Sequence, residues 1–220
     1  GDTVWVEDAG YPVARRALEN MGAKLAPVRV DTDGICVGDG VRRAPNARFA
    51  VVTPSHQSPL GVSLALPRRL ELLGWASAAG AWVVEDDYDG EFRYSGRPLP
   101  TLKSPDRDGR VLYAGTFSKV LYPALRLAYL VVPEQLVAVF DDVCRTMQNG
   151  CPHLTQAIVT EFVREGHFAR HLKKMRGLYA RRRTYVAEAL AKTFTGRLRV
   201  ELQAGGMHLL ARPETRETDR

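Results

Sequence analysis

No stretch of this sequence approaches the ~20 uninterrupted apolar residues that a bilayer-crossing helix needs, and the N-terminus lacks the basic and apolar regions of a signal peptide. No contact with a membrane is expected. Cysteine is scarce. Cys36, Cys144 and Cys151 form neither a C-x-x-C pair nor an even disulfide set, so a reducing, cytoplasmic setting is expected, with the cysteines acting as small hydrophobes. There is no G-x-S-x-G elbow of the kind a serine hydrolase needs. Gly115-Thr116-Phe117-Ser118-Lys119 lacks the G-x-x-x-x-G-K spacing of a nucleotide-binding P-loop. No helix-turn-helix, zinc or RNP pattern is present. His167 and His171 lie four apart on a helical segment without an intervening Glu or a third ligand, so no metal is expected. What remains is an ordinary globular composition: 220 residues, 45% hydrophobic and 25% charged.

The formal charge is +6, and it is unevenly placed. Eleven of the 31 basic residues but only two of the 25 acidic ones fall between Arg164 and Arg199. Within that segment Leu172, Met175, Leu178, Tyr179, Val186, Ala189 and Leu190 recur mostly at steps of three and four, the pattern of an amphipathic helix with a basic outer face. The excess charge thus belongs to one element, and a solvated helix face accounts for it without nucleic acid.

Strand-like and helix-like segments alternate. Thr3–Val6, Lys24–Val30, Phe49–Thr53, Trp82–Val84, Val111–Ala114 and Leu127–Val132 read as strands. Pro12–Met21, Pro67–Ala79, Glu134–Met147, Leu154–Arg164 and His167–Lys192 read as helices, two of them with proline in the first turn. Ser95–Gly109 reads as a loop, and Arg197–Leu202 with Met207–Ala211 as a hairpin around Gly205-Gly206. Near-continuous apolar strands separated by helices predict an α/β fold with a mostly parallel sheet covered on both faces. In such sheets chemistry collects at the carboxyl ends of the strands.

The residues at those ends form a short set. Glu85, Asp86, Asp87, Tyr88 and Asp89 follow one strand, Thr116, Ser118 and Lys119 another, and Arg126 opens the next. Ser55, His56, Gln57 and Ser58 follow the Phe49 strand, and Glu7, Asp8 and Tyr11 the first. A lysine in a Gly/Ser/Thr loop is a candidate amine nucleophile if burial lowers its pKa. Neighbouring hydroxyls, backbone amides and Arg126 suit a phosphate dianion. A carboxylate at an adjacent strand end can hold a pyridine nitrogen protonated. Together these are the requirements of a pyridoxal phosphate site.

VVEDDYDGEFRY (83–94) followed by GTFSKVLYPALRLAYLVVP (115–133) resembles the fold type I pyridoxal-phosphate proteins of aminotransferase class I/II. The match is best to the aminotransferase-like body of MocR-type regulators, which join that body to a GntR-type winged-helix DNA-binding head. WVEDAGYP (5–12), VVTPSHQSPLG (51–61) and HLKKMRGLYARRR (171–183) fit the same group in the same order. The resemblance implies a fold type I transferase, with 1–166 as the large cofactor domain and 167–220 as a linking helix and the start of a small α+β domain. It implies Lys119 as the lysine that binds pyridoxal 5'-phosphate as a Schiff base. Asp86 would sit on the pyridinium nitrogen, Tyr88 on the ring's phenolic oxygen, Tyr11 on the ring face, and Thr116, Ser118 and Arg126 on the phosphate. Ser58 stands where aminotransferases carry a ring-oxygen Asn, and Ala9 where the group usually has Pro. The glycine-rich helix start and the carboxylate-binding arginine of the family are not in the 220 residues, which read as an incomplete body.

Taken singly, Lys119 reads as a surface lysine, Tyr11 as a helix-start aromatic, Arg126 as an ion-pair partner, and Asp87 and Asp89 as loop acids or caps. Two functions are open. One is an effector-sensing module that takes a small amino compound and is coupled to a DNA-binding head elsewhere, with a homodimer as the working unit. The other is a free-standing aminotransferase. Ser58 in place of Asn counts against efficient transamination. A cofactor-free structural remnant is a third possibility.

Overall fold

The computed structural model describes residues 1–97, 99–148 and 152–214. Strand β1 (Thr3–Asp8) leads through helix α1 (Pro12–Asn20) to β2 (Lys24–Asp31), which turns back into the two-residue β3 (Gly34–Ile35). Helix α2 (Val37–Arg43) precedes β4 (Phe49–Val52), and α3 (Leu66–Ala79) precedes β5 (Trp82–Asp87). After a long loop come β6 (Val111–Thr116), the short α4 (Phe117–Val120), a 3-10 turn at Pro123–Leu125 and β7 (Ala128–Val131). Helices α5 (Val137–Gln148), α6 (His153–Arg164) and the 27-residue α7 (His167–Thr193) follow, then β8 (Leu198–Glu201) and β9 (Leu210–Pro213).

The main sheet has seven strands in the order β3-β2-β1-β4-β5-β6-β7. The five central strands are parallel, and only β3 and β7, at the two edges, run antiparallel. The carboxyl ends of β1, β4, β5 and β6 therefore lie along one rim. Strand order reverses at β1, whose neighbours are β2 and β4, and that reversal opens a crevice at the same rim. Register keeps the ends level: Val6 pairs with Val51, Val52 with Glu85 and Asp87 with Gly115.

The core is built from Trp5, Val28, Ile35, Val52, Leu72, Val83, Leu102 and Val111, all nearly inaccessible, with Trp75 of α3 stacked on Trp5 at 3.8 Å. The expected strands are all present, and several run further than their apolar residues suggest. The acids Glu85, Asp86 and Asp87 belong to β5 itself, and Glu7 and Asp8 to β1. A strand can carry a buried acid when the acid finds donors. Glu85 Oε1 and Oε2 accept the backbone N–H groups of Leu102 and Lys103 at 2.8 and 3.0 Å. That pins the Ser95–Gly109 loop beneath the sheet end.

Helix α2 has no clear signature in the sequence, because two glycines in VGDGVRR oppose helix formation. Packing overrides propensity there: a Cβ on Gly40 would lie 2.8 Å from the Trp5 indole, so only glycine lets α2 close onto the core. In α7, Leu172, Met175 and Tyr179 pack with Phe92, Val120 and Phe117 as expected of the apolar stripe. Beyond Tyr179 the buried face shifts: Ala187 is buried, whereas Val186 and Ala189 are exposed. The basic face is used in part, since Arg176 Nε donates to Glu91 O at 2.6 Å and Arg183 stacks over Tyr94 at 4.5 Å.

The C-terminal pair of strands is antiparallel, but it is not a tight hairpin around Gly205-Gly206. β8 and β9 pair from Leu198–Pro213 to Glu201–Leu210, and the intervening segment 202–209 runs back to the main body. Tyr94 N donates to Ala204 O at 2.9 Å and Gly206 N to Phe92 O at 2.8 Å. Gly206 has φ 86°, and a Cβ there would fall 2.1 Å from the His56 ring. Glycine is required by conformation and by space alike. Cys36 is a buried free thiol that donates to Asp31 Oδ2 at 2.9 Å; Cys144 is also free, and Cys151 lies outside the described residues. No described helix is long and apolar enough to cross a membrane.

Candidate functional site

The crevice at the strand ends contains a cavity of ≈ 150 Å³ lined by Tyr11, Thr53, Ser58, Asp86, Tyr88, Lys119 and His208. The seven side chains come from five separate segments of the fold. Tyr11 caps the start of α1 just beyond β1, Thr53 and Ser58 follow β4, Asp86 and Tyr88 end and follow β5, and Lys119 lies on α4 after β6. The structure thus gathers five of the eight expected site residues around one space.

Lys119 is more exposed than the nucleophile reading requires, standing on the cavity wall rather than beneath it. Asp86 is partly buried. Burial, reinforced by Asp87 and Asp89, pushes its carboxyl up from 3.8 to about 6. Tyr88 is also half-buried, and burial raises its phenol, with Asp89 and Asp86 adding to the effect. Its hydroxyl donates to His56 O at 2.9 Å and lies 3.2 Å from His56 Nδ1.

The three expected phosphate contacts do not line this cavity. Thr116 and Ser118 flank Lys119 but bond to each other: Ser118 N donates to Thr116 Oγ1 at 3.1 Å, which caps α4. Arg126 does not open β7. It ends the 3-10 turn in a left-handed conformation (φ 48°), exposed, two residues before the strand begins. Pro123 and the turn it starts set that position. The acids taken singly as loop residues are buried instead. Asp87 Oδ2 accepts the Tyr113 hydroxyl at 3.0 Å, and Asp89 Oδ2 lies 3.1 Å from His56 Nδ1 and accepts Met207 N at 2.9 Å.

Two polar groups around the cavity escaped the sequence reading as actors. The first bridges β1 and β4 at the point where strand order reverses. Glu7 Oε2 accepts the Thr53 hydroxyl at 2.6 Å and its N–H at 3.2 Å. Gln57 Nε2 is within reach of Glu7 Oε2, Ala9 O and Ser58 O at 3.2, 2.8 and 2.9 Å. This holds the loop that presents Ser58. Glu7 was visible as a strand-end acid; its burial was not. The second group is His56, Asp89 and His208, which is also the one grouping of metal-capable side chains among the described residues. Nothing near Gly205-Gly206 marked His208, because its place depends on a segment returning from β8. His167 and His171, four apart on α7, have separate partners: His171 Nε2 contacts Val120 O and His167 pairs with Glu165.

Burial raises the Glu7 carboxyl from 4.5 to about 7 despite its hydrogen bonds to Thr53 and Gln57, with Asp86 adding to the rise. A raised carboxyl holds its proton longer in the fold than in the unfolded chain. Its contribution is therefore full below 4.5 and lost as pH rises through about 7. Relative to Glu7→Gln, the wild type is expected to lose roughly 3 kcal/mol of stability over that window. Urea unfolding at pH 4.5, 6 and 8 measures this; parallel pH profiles for the two proteins contradict it.

The aminotransferase class I and II family model matches residues 1–218. The chain belongs to that family. Among curated relatives of this aminotransferase-family chain is the probable rhizopine catabolism regulatory protein MocR of Rhizobium meliloti, 42% identical over 96% of the chain and 43% of the relative. Another is the uncharacterized HTH-type transcriptional regulator YdeL of Bacillus subtilis, 36% identical over 94% of the chain and 44% of the relative. The chain thus spans less than half the length of these relatives. Among solved structures, LysN, the α-aminoadipate aminotransferase of Thermus thermophilus, superposes with a TM-score of 0.87 at 29% identity, covering 96% of this chain and 55% of that one. Pyrococcus horikoshii kynurenine aminotransferase gives 0.86 at 29%, covering 94% and 53%. The fold is that of the fold type I pyridoxal-phosphate aminotransferases, as the sequence motifs implied.

Proposed function

We propose that this aminotransferase-family chain is the pyridoxal-phosphate-binding, effector-sensing body of a MocR-type transcriptional regulator. The observation that carries the cofactor reading is the donor set of the cavity. One free amine (Lys119), one carboxyl raised by burial (Asp86), one phenol (Tyr88) and one ring at the rim (Tyr11) face a common space. A buried carboxyl among other acids is relieved by a cation opposite it, and a protonated pyridine nitrogen is such a cation. The residues therefore fit the cofactor. When bound, pyridoxal phosphate supplies an aldehyde that condenses with amines and a ring that draws electron density from the adjoining carbon. Lys119 would hold that aldehyde and yield it to an incoming amine. Asp86 would keep the ring nitrogen protonated, and Tyr88 and Ser58 would place their hydroxyls beside the ring oxygen. Thr116, Ser118 and Arg126 would take the phosphate, as the resemblance implies, and the Thr116 hydroxyl can still donate while it caps α4.

The regulatory half of the reading is favoured over free-standing transamination by Ser58, whose short hydroxyl replaces the carboxamide that aminotransferases aim at the ring oxygen. In this reading 1–166 forms the large domain and 167–220 opens the small one. The protein acts in the cytoplasm as a homodimer, and DNA is contacted by a separate part of the polypeptide. The test is to add small amino compounds to the full-length, cofactor-loaded protein while following its spectrum and its retention of DNA from its own upstream region. A spectral change accompanied by altered DNA affinity, with little conversion to keto acid, is expected. Rapid turnover with no DNA binding would support the aminotransferase instead.

A further inference from the structure

We propose that His56 is a positioning residue of this site: its Nδ1–H, oriented by Asp89, makes the Tyr88 hydroxyl a donor toward the ring oxygen of the bound cofactor. The inference rests on the cofactor reading above and deepens it, since that reading places Tyr88 at the ring oxygen. His56 is buried in the loop after β4, and its Nδ1 faces two oxygens, Asp89 Oδ2 at 3.1 Å and Tyr88 Oη at 3.2 Å. Asp89 is buried too, and its Oδ2 already accepts Met207 N at 2.9 Å. A bare ring nitrogen beside that acceptor would be repelled by it, so Nδ1 carries the proton. Gly206 holds the ring in this orientation, packed so closely on it that a Cβ there would overlap Nδ1 and Cε1.

The proton on Nδ1 decides what Tyr88 can do. Burial, with Asp89, Asp86 and Glu7 adding to it, raises the phenol, so Tyr88 keeps its single proton. An unprotonated Nδ1 would accept that proton and compete with the cofactor for it. With Nδ1–H shared between Asp89 Oδ2 and Tyr88 Oη, the imidazole instead fills an acceptor position on the phenol oxygen, and the phenol proton points elsewhere. In this structure it goes to His56 O at 2.9 Å. An ionised phenolic oxygen on the cofactor is a stronger acceptor than a peptide carbonyl and would draw the proton outward, while Nδ1–H keeps Oη in place. The other ionisable groups around the pair are Asp86 at the end of β5, Glu7 of β1, Lys119 on α4 and His208, whose ring stacks 5.9 Å from that of His56. Met207 N ties the segment returning from β8 to Asp89, so the chain beyond α7 helps to set the direction of one hydroxyl at the cofactor.

The experiment uses the full-length protein loaded with pyridoxal phosphate and follows its absorption spectrum against pH. A hydrogen bond donated to the ring oxygen stabilises negative charge there and lowers the pH at which the cofactor band changes. Tyr88→Phe should therefore raise the midpoint by about one pH unit, the worth of one hydrogen bond to a charged group. His56→Phe should raise it by about half a unit or more. His56→Asn, whose side-chain N–H can stand where Nδ1–H does, should stay close to the wild type. In the Tyr88→Phe background His56→Phe should add nothing, because the imidazole acts on the cofactor through that hydroxyl. A purely structural histidine would shift the midpoint equally with and without the hydroxyl, and Asn would rescue no better than Phe. Either of these results, or an unmoved midpoint in His56→Phe while Tyr88→Phe raises it, overturns the proposal. Imidazole-nitrogen NMR of the cofactor-free full-length protein, assigned by the signal lost in His56→Asn, gives a readout independent of the cofactor. It should show the proton on Nδ1, and a proton on Nε2 alone overturns the proposal as well. A midpoint unmoved by Tyr88→Phe, or failure of the wild type to take up the cofactor at all, is a different result, and it overturns the underlying reading along with this one.

Discussion

Lys119→Ala is expected to abolish covalent attachment of pyridoxal phosphate. The full-length variant should show no imine absorption band under conditions where the wild type is yellow. The size of the effect follows from the cavity wall, where Lys119 is the sole lysine. Other lysines are poorly placed to substitute. Lys103 Nζ is bound to Asp106 Oδ2 and Val111 O at 3.0 Å each, under the sheet end. Lys173, Lys174 and Lys192 lie on α7, where the first two face solvent, and Lys24 begins β2 at the opposite end of its strand from the site. Noncovalent binding through the other wall residues should survive in weakened form, so the variant should still bind cofactor without acquiring the band. Melting temperature should stay close to that of the cofactor-free wild type, because Lys119 is exposed and fills no core space.

Asp86→Asn is the second large effect. The carboxyl is partly buried beside Asp87 and Asp89, which raises it to about 6. Without cofactor this is a cost to the fold that grows as pH rises from 3.8 through about 6. The neutral amide removes it, so the cofactor-free variant should be as stable as the wild type or more so above pH 6. With cofactor the sign reverses. A carboxylate facing a protonated ring nitrogen makes a charge-assisted hydrogen bond that Asn cannot match. The dissociation constant of the cofactor should rise by about tenfold to a hundredfold. Wild-type affinity should also fall as pH drops below about 6 and Asp86 takes a proton, and the Asn variant should lack that step. Spectrophotometric titration at several pH values, alongside urea unfolding of the cofactor-free proteins, separates the two effects. A variant that loses stability and affinity together would mark Asp86 as a structural acid.

The two predictions rest on residues that differ in how far the sequence reveals them. Lys119, Asp86 and Tyr88 were legible because parallel strands align their carboxyl ends, so a list of residues just past apolar runs is already close to a list of site residues. Glu7 and Asp89 stood in that list too, yet their roles were not legible. Whether a strand-end acid faces solvent or a buried hydroxyl depends on the neighbouring strand, here β4 with Thr53 beside β1. Asp89 needed His56 and Met207 to become a buried anchor, and Met207 is 118 residues away. The same long-range closure hid His208. It also made a hairpin around Gly205-Gly206 seem natural, when those glycines serve a close approach to Phe92 and His56. Helix α2 was hidden for a related reason, since its glycines oppose helix locally and allow contact with Trp5 tertiarily. The residues expected at the phosphate show the converse. Thr116, Ser118 and Arg126 follow from motif order, but local structure, a cap and a 3-10 turn, decides where their polar atoms point.

The central claim is that Lys119, presented at the end of β6 among side chains from β1, β4 and β5, is the amine that takes the cofactor. Borohydride reduction of the cofactor-treated full-length protein, followed by peptide mapping, tests it most directly. The account predicts a single phosphopyridoxyl label on the peptide containing Gly115-Thr116-Phe117-Ser118-Lys119. A label on Lys103, Lys173 or any other lysine, with Lys119 unmodified, would contradict it.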